Sequence, residues 1–453
     1  MELAVSPRTE YERRRAVRQG DIARLRRVDD RVGTVGLWSA SGTVLVLLVS
    51  FLSSMPSAWA LVPVAVLITA RIIHLRYESA IAVLEAGARH YDRGLARMDD
   101  RWIGQGREGR EFEAPTHPYA GDLDLFGRGS LFELLCTVRT RAGEKSLATW
   151  LLSPGNPAEI RDRQVSVREL RDRLDLREDL SRLGDDAAAG IRPDELGAWS
   201  ASPVELSPAI RRTARVLTAA SMGTLVVFLL GISAYPFAAA VLAILMFNWR
   251  VSGRIGHVTE LGERAERELD LLSKVLRRLS GEPFSSPRLR ILQDSLRDAA
   301  VHVEELARLV QRLQSVRNEL IRALAGLILW RAHCAFALEN WRERWGRGIP
   351  GWLEAVGEIE ALGALATYSY ENPEDPFPEI VEGEGRFEGE QLGHPLLPRR
   401  TCVRNDVRLG DRPRVLIVSG SNMSGKSTLL RTVGVNATLA LAGAPVRAKR
   451  LTI

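Results

Sequence analysis

Cysteine is scarce in this chain. Its three cysteines, Cys136, Cys334 and Cys402, lie far apart in no paired spacing. That excludes a disulfide framework or a cysteine-based zinc site and fits a reducing cytoplasm. The first 30 residues are rich in charge and lack an apolar stretch, so no cleavable signal peptide is expected there. Charge is itself missing from two places, between Arg31 and Arg71 and again between Arg215 and Arg250. Elsewhere the composition is ordinary for a folded protein, with 45% hydrophobic and 26% charged residues. The mean hydropathy is near zero, which argues against a chain made of membrane spans throughout; the apolar residues are concentrated in two blocks, and 453 residues lead one to expect two to four domains.

The first uncharged block breaks once, at Ser53-Ser54-Met55-Pro56-Ser57. A helix needs about 20 residues to cross a bilayer. Val32–Ser53 is long enough, and the second half reaches that length through Ile72, Ile73 and Leu75 if Arg71 snorkels to the interface. The second block has its expected turn at Ser233-Ala234-Tyr235-Pro236, and its halves are short. Both blocks read as transmembrane hairpins, with Trp38, Trp59, Tyr235 and Trp249 as interface aromatics. Arginines flank the outer ends of both blocks, from Arg13 to Arg31, at Arg71 and Arg76, from Arg211 to Arg215, and at Arg250 and Arg254, whereas neither turn carries Lys or Arg. The positive-inside rule then places all long soluble segments in the cytoplasm of a multi-pass protein of the cytoplasmic membrane, with membrane lipid as a partner. The net charge of +6 follows from the same arginines, although a run such as Arg13–Arg31 could also touch nucleic acid.

Between Val258 and Leu324 the pattern is helical. Leu292, Leu296, Ala299, Val303, Leu306, Val310 and Leu313 recur at spacings of four and three, one apolar stripe of a bundle helix. Gly346–Pro350 is expected to end this region, and Glu371–Pro378 to link it to the last domain.

Arg414-Val415-Leu416-Ile417-Val418-Ser419 reads as a short buried strand. Gly420-Ser421-Asn422-Met423-Ser424-Gly425-Lys426-Ser427 follows at once and matches G-x-x-x-x-G-K-[ST] in full, and Thr428–Leu441 reads as a helix closed by Gly443 and Pro445. In such a loop Gly420 and Gly425 let successive N–H groups point at phosphate, and the helix N-terminus adds partial positive charge. Lys426 would reach the β- and γ-phosphates of ATP, with Ser427 on Mg²⁺ and Thr428 completing the binding segment. His394, beside Pro395, reads as a turn and packing residue rather than a base, and His302 and His333 have no partner cluster for a metal.

Gly393-His394-Pro395-Leu396-Leu397, then Asn405-Asp406, then the loop with Asn422-Met423, resemble the ATPase domain of the MutS family, whose loop usually reads G-P-N-M-G-G-K-S. Upstream, Gly129–Leu135, Thr140, Gly143, Leu147–Pro154 and Arg163-Gln164 with Val167 and Glu169-Leu170 resemble the opening of the MutS core. Taken with the two apolar blocks, the expected fold is of mixed class: helical membrane hairpins and a helical core and lever region, followed by the N-terminal portion of an α/β P-loop NTPase domain. The expected division is a basic segment 1–31, a hairpin 32–75, a helical linker 76–119, a first core segment 120–215, a second hairpin 216–249, a lever with the rest of the core 250–370, and a truncated P-loop domain 371–453. The resemblance concerns roughly 120–180 and 370–453 only. It implies ATP with Mg²⁺, a homodimer formed through the ATPase domain, and DNA binding in a mismatch-repair type of role.

Three departures qualify the likeness. The Phe-x-Glu reading domain of mismatch sensors is replaced by charged helix and a hairpin. Where the family stacks an aromatic on adenine, this chain has Cys402-Val403, so Val403 is expected to give an apolar contact only. No metal-binding acidic strand follows Lys426 before Ile453, so the chain is expected to be a fragment of a longer reading frame, an ATPase if complete and a poor one as it stands. The alternatives are a membrane-tethered, ATP-dependent regulator that never binds DNA, and, less well supported, a transport ATPase.

Overall fold

A computed structural model describes residues 6–53, 55–183, 193–264, 266–314, 325–383, 385–410, 412–421 and 425–453. The chain is predominantly helical, with one small sheet. Helix α1 (Pro7–Leu52) is capped by Ser6, whose hydroxyl accepts from the Thr9 N–H, and carries Pro7 in its first turn. Its 46 residues make a rod about 69 Å long, more than twice the roughly 30 Å hydrocarbon core of a bilayer. Only its uncharged half matches a membrane; the other half is a charged stalk. After α1 ends, a tight turn at Ser57–Ala60 leads into α2 (Leu61–Met98), which returns antiparallel to α1. His74 pairs with Asp29 (2.6 Å) and Arg26 with Glu85 across the two helices, just past the apolar portion.

The second hairpin pairs α8 (Pro208–Leu229) with α9 (Tyr235–Arg264). Its turn lies at Leu230–Ala234, with Gly231 left-handed at φ +73°. This corrects the expected turn: Tyr235 and Pro236 open α9, because a proline without an N–H costs nothing in the first turn of a helix. Together α1, α2, α8 and α9 are four helices, among the described residues, long and apolar enough to cross a membrane.

The soluble core is built from α3 (Leu131–Leu135), α4 (Arg141–Leu152), α5 (Pro157–Arg171), α6 (Leu174–Arg182), α7 (Pro193–Ala201), α10 (Glu266–Ser280), α11 (Pro287–Gln314), α12 (Trp330–Trp345) and α13 (Ile349–Glu371). The whole apolar stripe of α11, from Leu292 to Leu313, is buried. Gly346–Pro350 does not end the helical region as expected. It makes a single tight turn, and Pro350 lies in the first turn of α13, the axis of the core. Glycine is required where α13 crosses α4, since a Cβ on Gly357 would lie 2.6 Å from the Ala142 carbonyl oxygen. One turn on, the buried Glu360 carboxylate accepts from the Arg139 and Thr140 amides (3.1 Å each) and so compensates the positive N-terminus of α4.

After α13 come β1 (Phe387–Leu392), β2 (Asn405–Leu409), α14 (Lys426–Ala442) and β3 (Arg450–Thr452). The strands form one antiparallel sheet of order β2-β1-β3, with Gly389 opposite both Val407 and Leu451. The expected strand Arg414–Ser419 does not form: residues 415–420 carry no regular structure, and Ile417 is 85% exposed. A parallel strand has no internal hydrogen bonds and needs a neighbour on its edge, and among the described residues none pairs with this segment. The helix that follows needs no such partner. It forms as expected and begins two residues earlier.

Candidate nucleotide site

Helix α14 is divided in its surroundings. Thr432, Val435, Asn436, Leu439 and Ala440, at helical spacing, are buried against the sheet and the core. The first turn, from Lys426 to Thr428, projects to the surface with Ser427 and Thr428 exposed. Gly425 precedes it at φ +85°, a left-handed conformation in which a side chain would be strained. Among the described residues, the ladder of this helix starts with Leu429 N–H donating to Gly425 O (2.9 Å). No acidic residue lies in this turn. The partial positive charge of the helix N-terminus stands at this exposed end, an arrangement that favours an anion.

The Lys426 ammonium reaches back over the loop and donates to the carbonyls of Gly420 (2.6 Å) and Ser421 (2.5 Å). It thereby spans the segment from Gly420 to Ser427 and stands at the same mouth as the helix amides. Gly420, Ser421, Gly425, Lys426, Ser427 and Thr428 are therefore brought together; Asn422, Met423 and Ser424 lie outside the described residues. Val403, just before β2, is 78% exposed, so its side chain is open to contact but not placed against the loop by packing.

Two residues that local sequence reading missed hold α14 in place. The Asn436 side chain donates to Gly393 O (3.0 Å) and Thr432 O (2.8 Å) and accepts from Arg447 N–H (2.9 Å). Arg447 in turn donates to the carbonyls of His394 (2.9 Å) and Leu397 (2.5 Å). These bonds tie the helix to the turn Gly393–Leu397. His394 is the packing residue expected of it: it is buried, and its Nδ1 accepts from Leu396 N–H (3.2 Å). Burial, together with the nearby Arg431 and Arg447, holds its pKa below the usual histidine value. Toward the core, Arg431 pairs with Asp124, and Gly443, left-handed at φ +90°, ends the helix against Arg163 of α5. No local motif marks Asn436 or Arg447, because the turn they hold, Gly393–Leu397, lies some 40 to 50 residues earlier in the chain. His302 stacks on Trp345, and His333 Nε2 bonds to the Thr218 hydroxyl (3.1 Å).

No protein-family model matches the chain. Among curated proteins it is similar to the DNA mismatch repair protein MutS 1 of Halobacterium salinarum, 31% identical over 172 residues, which is 37% of this chain and 18% of that protein. It is 35% identical over 103 residues to the endonuclease MutS2 of Thermus thermophilus, 23% of this chain and 13% of that one. A shorter stretch of 50 residues is 54% identical to the endonuclease MutS2 of Thermomicrobium roseum, 11% of this chain and 6% of the relative. The chain thus spans less than a fifth of the length of each of these relatives.

Proposed function

From a chain that is MutS-like over some of its length, we propose a membrane-anchored switch that binds ATP with Mg²⁺ at Gly420–Thr428. The observation that carries the reading is the first turn of α14: the helix N-terminus, a left-handed Gly425 and the Lys426 ammonium come together where a G-x-x-x-x-G-K-S loop would hold a triphosphate. Lys426 neutralises the β- and γ-phosphates, Ser427 ligates Mg²⁺, and Val403 gives the base an apolar contact. The segment 414–419 forms the strand before the loop once a neighbour pairs with it, completing an α/β P-loop domain. Hydrolysis further requires a metal-binding carboxylate and a positioned water. Two chains share their nucleotide sites as a homodimer, and α14, tied to Asp124 and Arg163, passes the nucleotide state to the core. Lys426→Ala is expected to abolish ATP binding, measured by equilibrium titration of the detergent-solubilised protein, without changing its helical content. Wild-type affinity in that variant would sink the proposal.

The names of the relatives support a DNA-binding, mismatch-repair-like role. A second reading, a tethered ATP-dependent regulator that does not bind DNA, is favoured by the α1–α2 pair, whose apolar portion is long enough to cross a membrane and whose charged portion packs on the core. Duplex binding measured across a salt series separates the two. Phosphate contacts give a steep negative slope of log affinity on log salt, and a regulator gives no binding at any salt.

A further inference from the structure

The second hairpin is rooted in charge of one sign. Arg211, Arg212 and Arg215 lie in the opening turns of α8, and Arg250 and Arg254 follow the apolar run of α9. No acidic residue occurs between Leu206 and Thr259. The rings of Phe228 and Phe237 stack beside the turn, with centroids 5.5 Å apart, and set the register of the two helices. Arg215 stands thirteen residues before that pair and Arg250 thirteen after it; for Arg211 and Arg254 the separation is seventeen. The five arginines therefore share one level, a belt about 6 Å deep along the hairpin axis. Arg211 lies over the Phe336 ring of α12, 5.6 Å from its centroid. Arg212, Arg215, Arg250 and Arg254 are exposed and make no ion pair or hydrogen bond among the described residues. The first hairpin differs at the corresponding place. Its Arg27, Arg31, Arg71 and Arg76 alternate with Asp29, Asp30 and Glu78, and His74 stands between Asp29 (2.6 Å) and Glu78 (3.4 Å).

The length of the hairpin sets the level of that belt. From Arg215 to Leu229 in α8, and from Tyr235 to Arg250 in α9, each helix rises only about 21–23 Å, less than the roughly 30 Å hydrocarbon core of a bilayer. Spans this short hold the belt against the membrane boundary. Trp249, 82% exposed beside Arg250, is the residue type that settles there. The headgroup layer is about 5–7 Å deep on each side, the depth of the belt. The fork of a guanidinium matches the oxygens of a phosphodiester in geometry as well as charge, and basic residues beside a membrane draw anionic lipids. Resting on the membrane reading above, we propose that this belt is a binding surface for the headgroups of anionic phospholipids, which fix the depth of the short second hairpin. A choline headgroup carries its own cation beside the phosphate and so is held less well. The belt is fastened to the core at its root. Glu339 of α12 accepts from the amides of Glu205 (2.6 Å) and Leu206 (3.1 Å) just before α8, and Arg211 rests on the same helix. Lipid composition is thereby felt by the core.

The test uses the full chain in a neutral detergent, equilibrated with equal amounts of phosphatidylglycerol and phosphatidylcholine of the same acyl chains. Lipid retained by the protein is counted by native mass spectrometry. One arginine near an anionic surface contributes roughly a fivefold preference, so the wild-type chain should retain phosphatidylglycerol at least tenfold over phosphatidylcholine. Arg212→Gln, Arg250→Gln and Arg254→Gln combined, all at exposed positions, should lower that preference at least fivefold and leave helical content unchanged. Arg27→Gln, Arg31→Gln and Arg71→Gln combined, at the charge-balanced first hairpin, should lower it less than twofold. Equal losses in the two triple variants would overturn the assignment. So would displacement of the retained phosphatidylglycerol by duplex DNA, which would make the belt a nucleic-acid surface. Two failures are told apart by extraction. A chain released from membranes by alkaline carbonate without detergent refutes the membrane reading itself, whereas a chain that needs detergent and retains both lipids equally refutes the lipid belt alone.

Discussion

The neutral form of His394 is built into the turn that anchors α14, because its Nδ1 must keep a lone pair for the Leu396 amide. Its folded pKa lies below the unfolded value of 6.5 through burial and the charges of Arg431 and Arg447. As pH falls below about 6.5 the unfolded chain takes up a proton that the folded chain refuses, so stability present above that pH is lost below it. The melting temperature should therefore drop between pH 7.5 and 5.5. His394→Asn, whose side-chain oxygen can still accept from Leu396, should drop less; equal drops in both proteins would refute the assignment. Asn436 acts on the same turn from the helix. Asn436→Ala leaves the Gly393 carbonyl and the Arg447 amide buried without their partner, which should cost about 1–3 kcal/mol in denaturant unfolding. A neutral result would show that water replaces the amide. The motif that proposes Lys426 and Ser427 is local and is read within eight residues. Asn436 and Arg447 were not legible, because each draws its meaning from Gly393–Leu397, some 40 to 50 residues earlier, and a lone Asn or Arg in a helical pattern has many uses.

Helices were legible and the strand before the loop was not, for one physical reason. Each helix closes its hydrogen bonds within four residues, so the periodicity around Leu292–Leu313 and the caps at Ser6 and Gly443 suffice to specify it. The apolar run Val415–Val418 specifies a strand only in the presence of a neighbour, and no described residue supplies one. The stalk shows how far tertiary packing goes beyond either pattern. Tyr11 of α1 is fully buried against Tyr91 and stacked on Tyr370, with ring centroids 5.3 and 5.5 Å apart. Gly94 of α2 makes room for it, since a Cβ there would lie 2.4 Å from the Tyr11 ring. The Tyr11 hydroxyl, by contrast, makes one long bond to Glu371 (3.4 Å). Packing rather than hydrogen bonding should therefore fix the stalk. Gly94→Ala should destabilise it by about 1–3 kcal/mol, read as faster proteolysis of α1, whereas Tyr11→Phe should be nearly neutral. The reverse order would show that the hydroxyl, not the ring, locks the joint.

At the scale of the whole chain, arginines stand at the outer ends of both apolar blocks and none stands in the turns. Charge alone decides the first block better than the second, whose halves are so short that one tilted span could replace two crossings. Packing decides the second block without reference to charge. Arg18, on the stalk before the first hairpin, bonds to Glu178 (2.6 Å), which lies between the hairpins. Arg97, after the first hairpin, and Tyr11, before it, both bond to Glu371, which lies beyond the second. Three segments separated by the two apolar blocks therefore meet in one network, and groups in contact share one side of a membrane. Each block must then return the chain to the side it left, as the paired helices α1–α2 and α8–α9 allow. If the arginine-rich side is the cytoplasm, as the positive-inside rule predicts, the proposed nucleotide loop is expected to face ATP and the turns near Met55 and Ser233 to face out. The prediction is tested in intact cells after replacement of the three native cysteines, with single cysteines placed at Ser233 and at Ser285. An impermeant thiol reagent should label position 233 and spare position 285. Labelling at 285 with 233 protected would mean that α9 ends outside, and would break both the network and the nucleotide reading that depends on it.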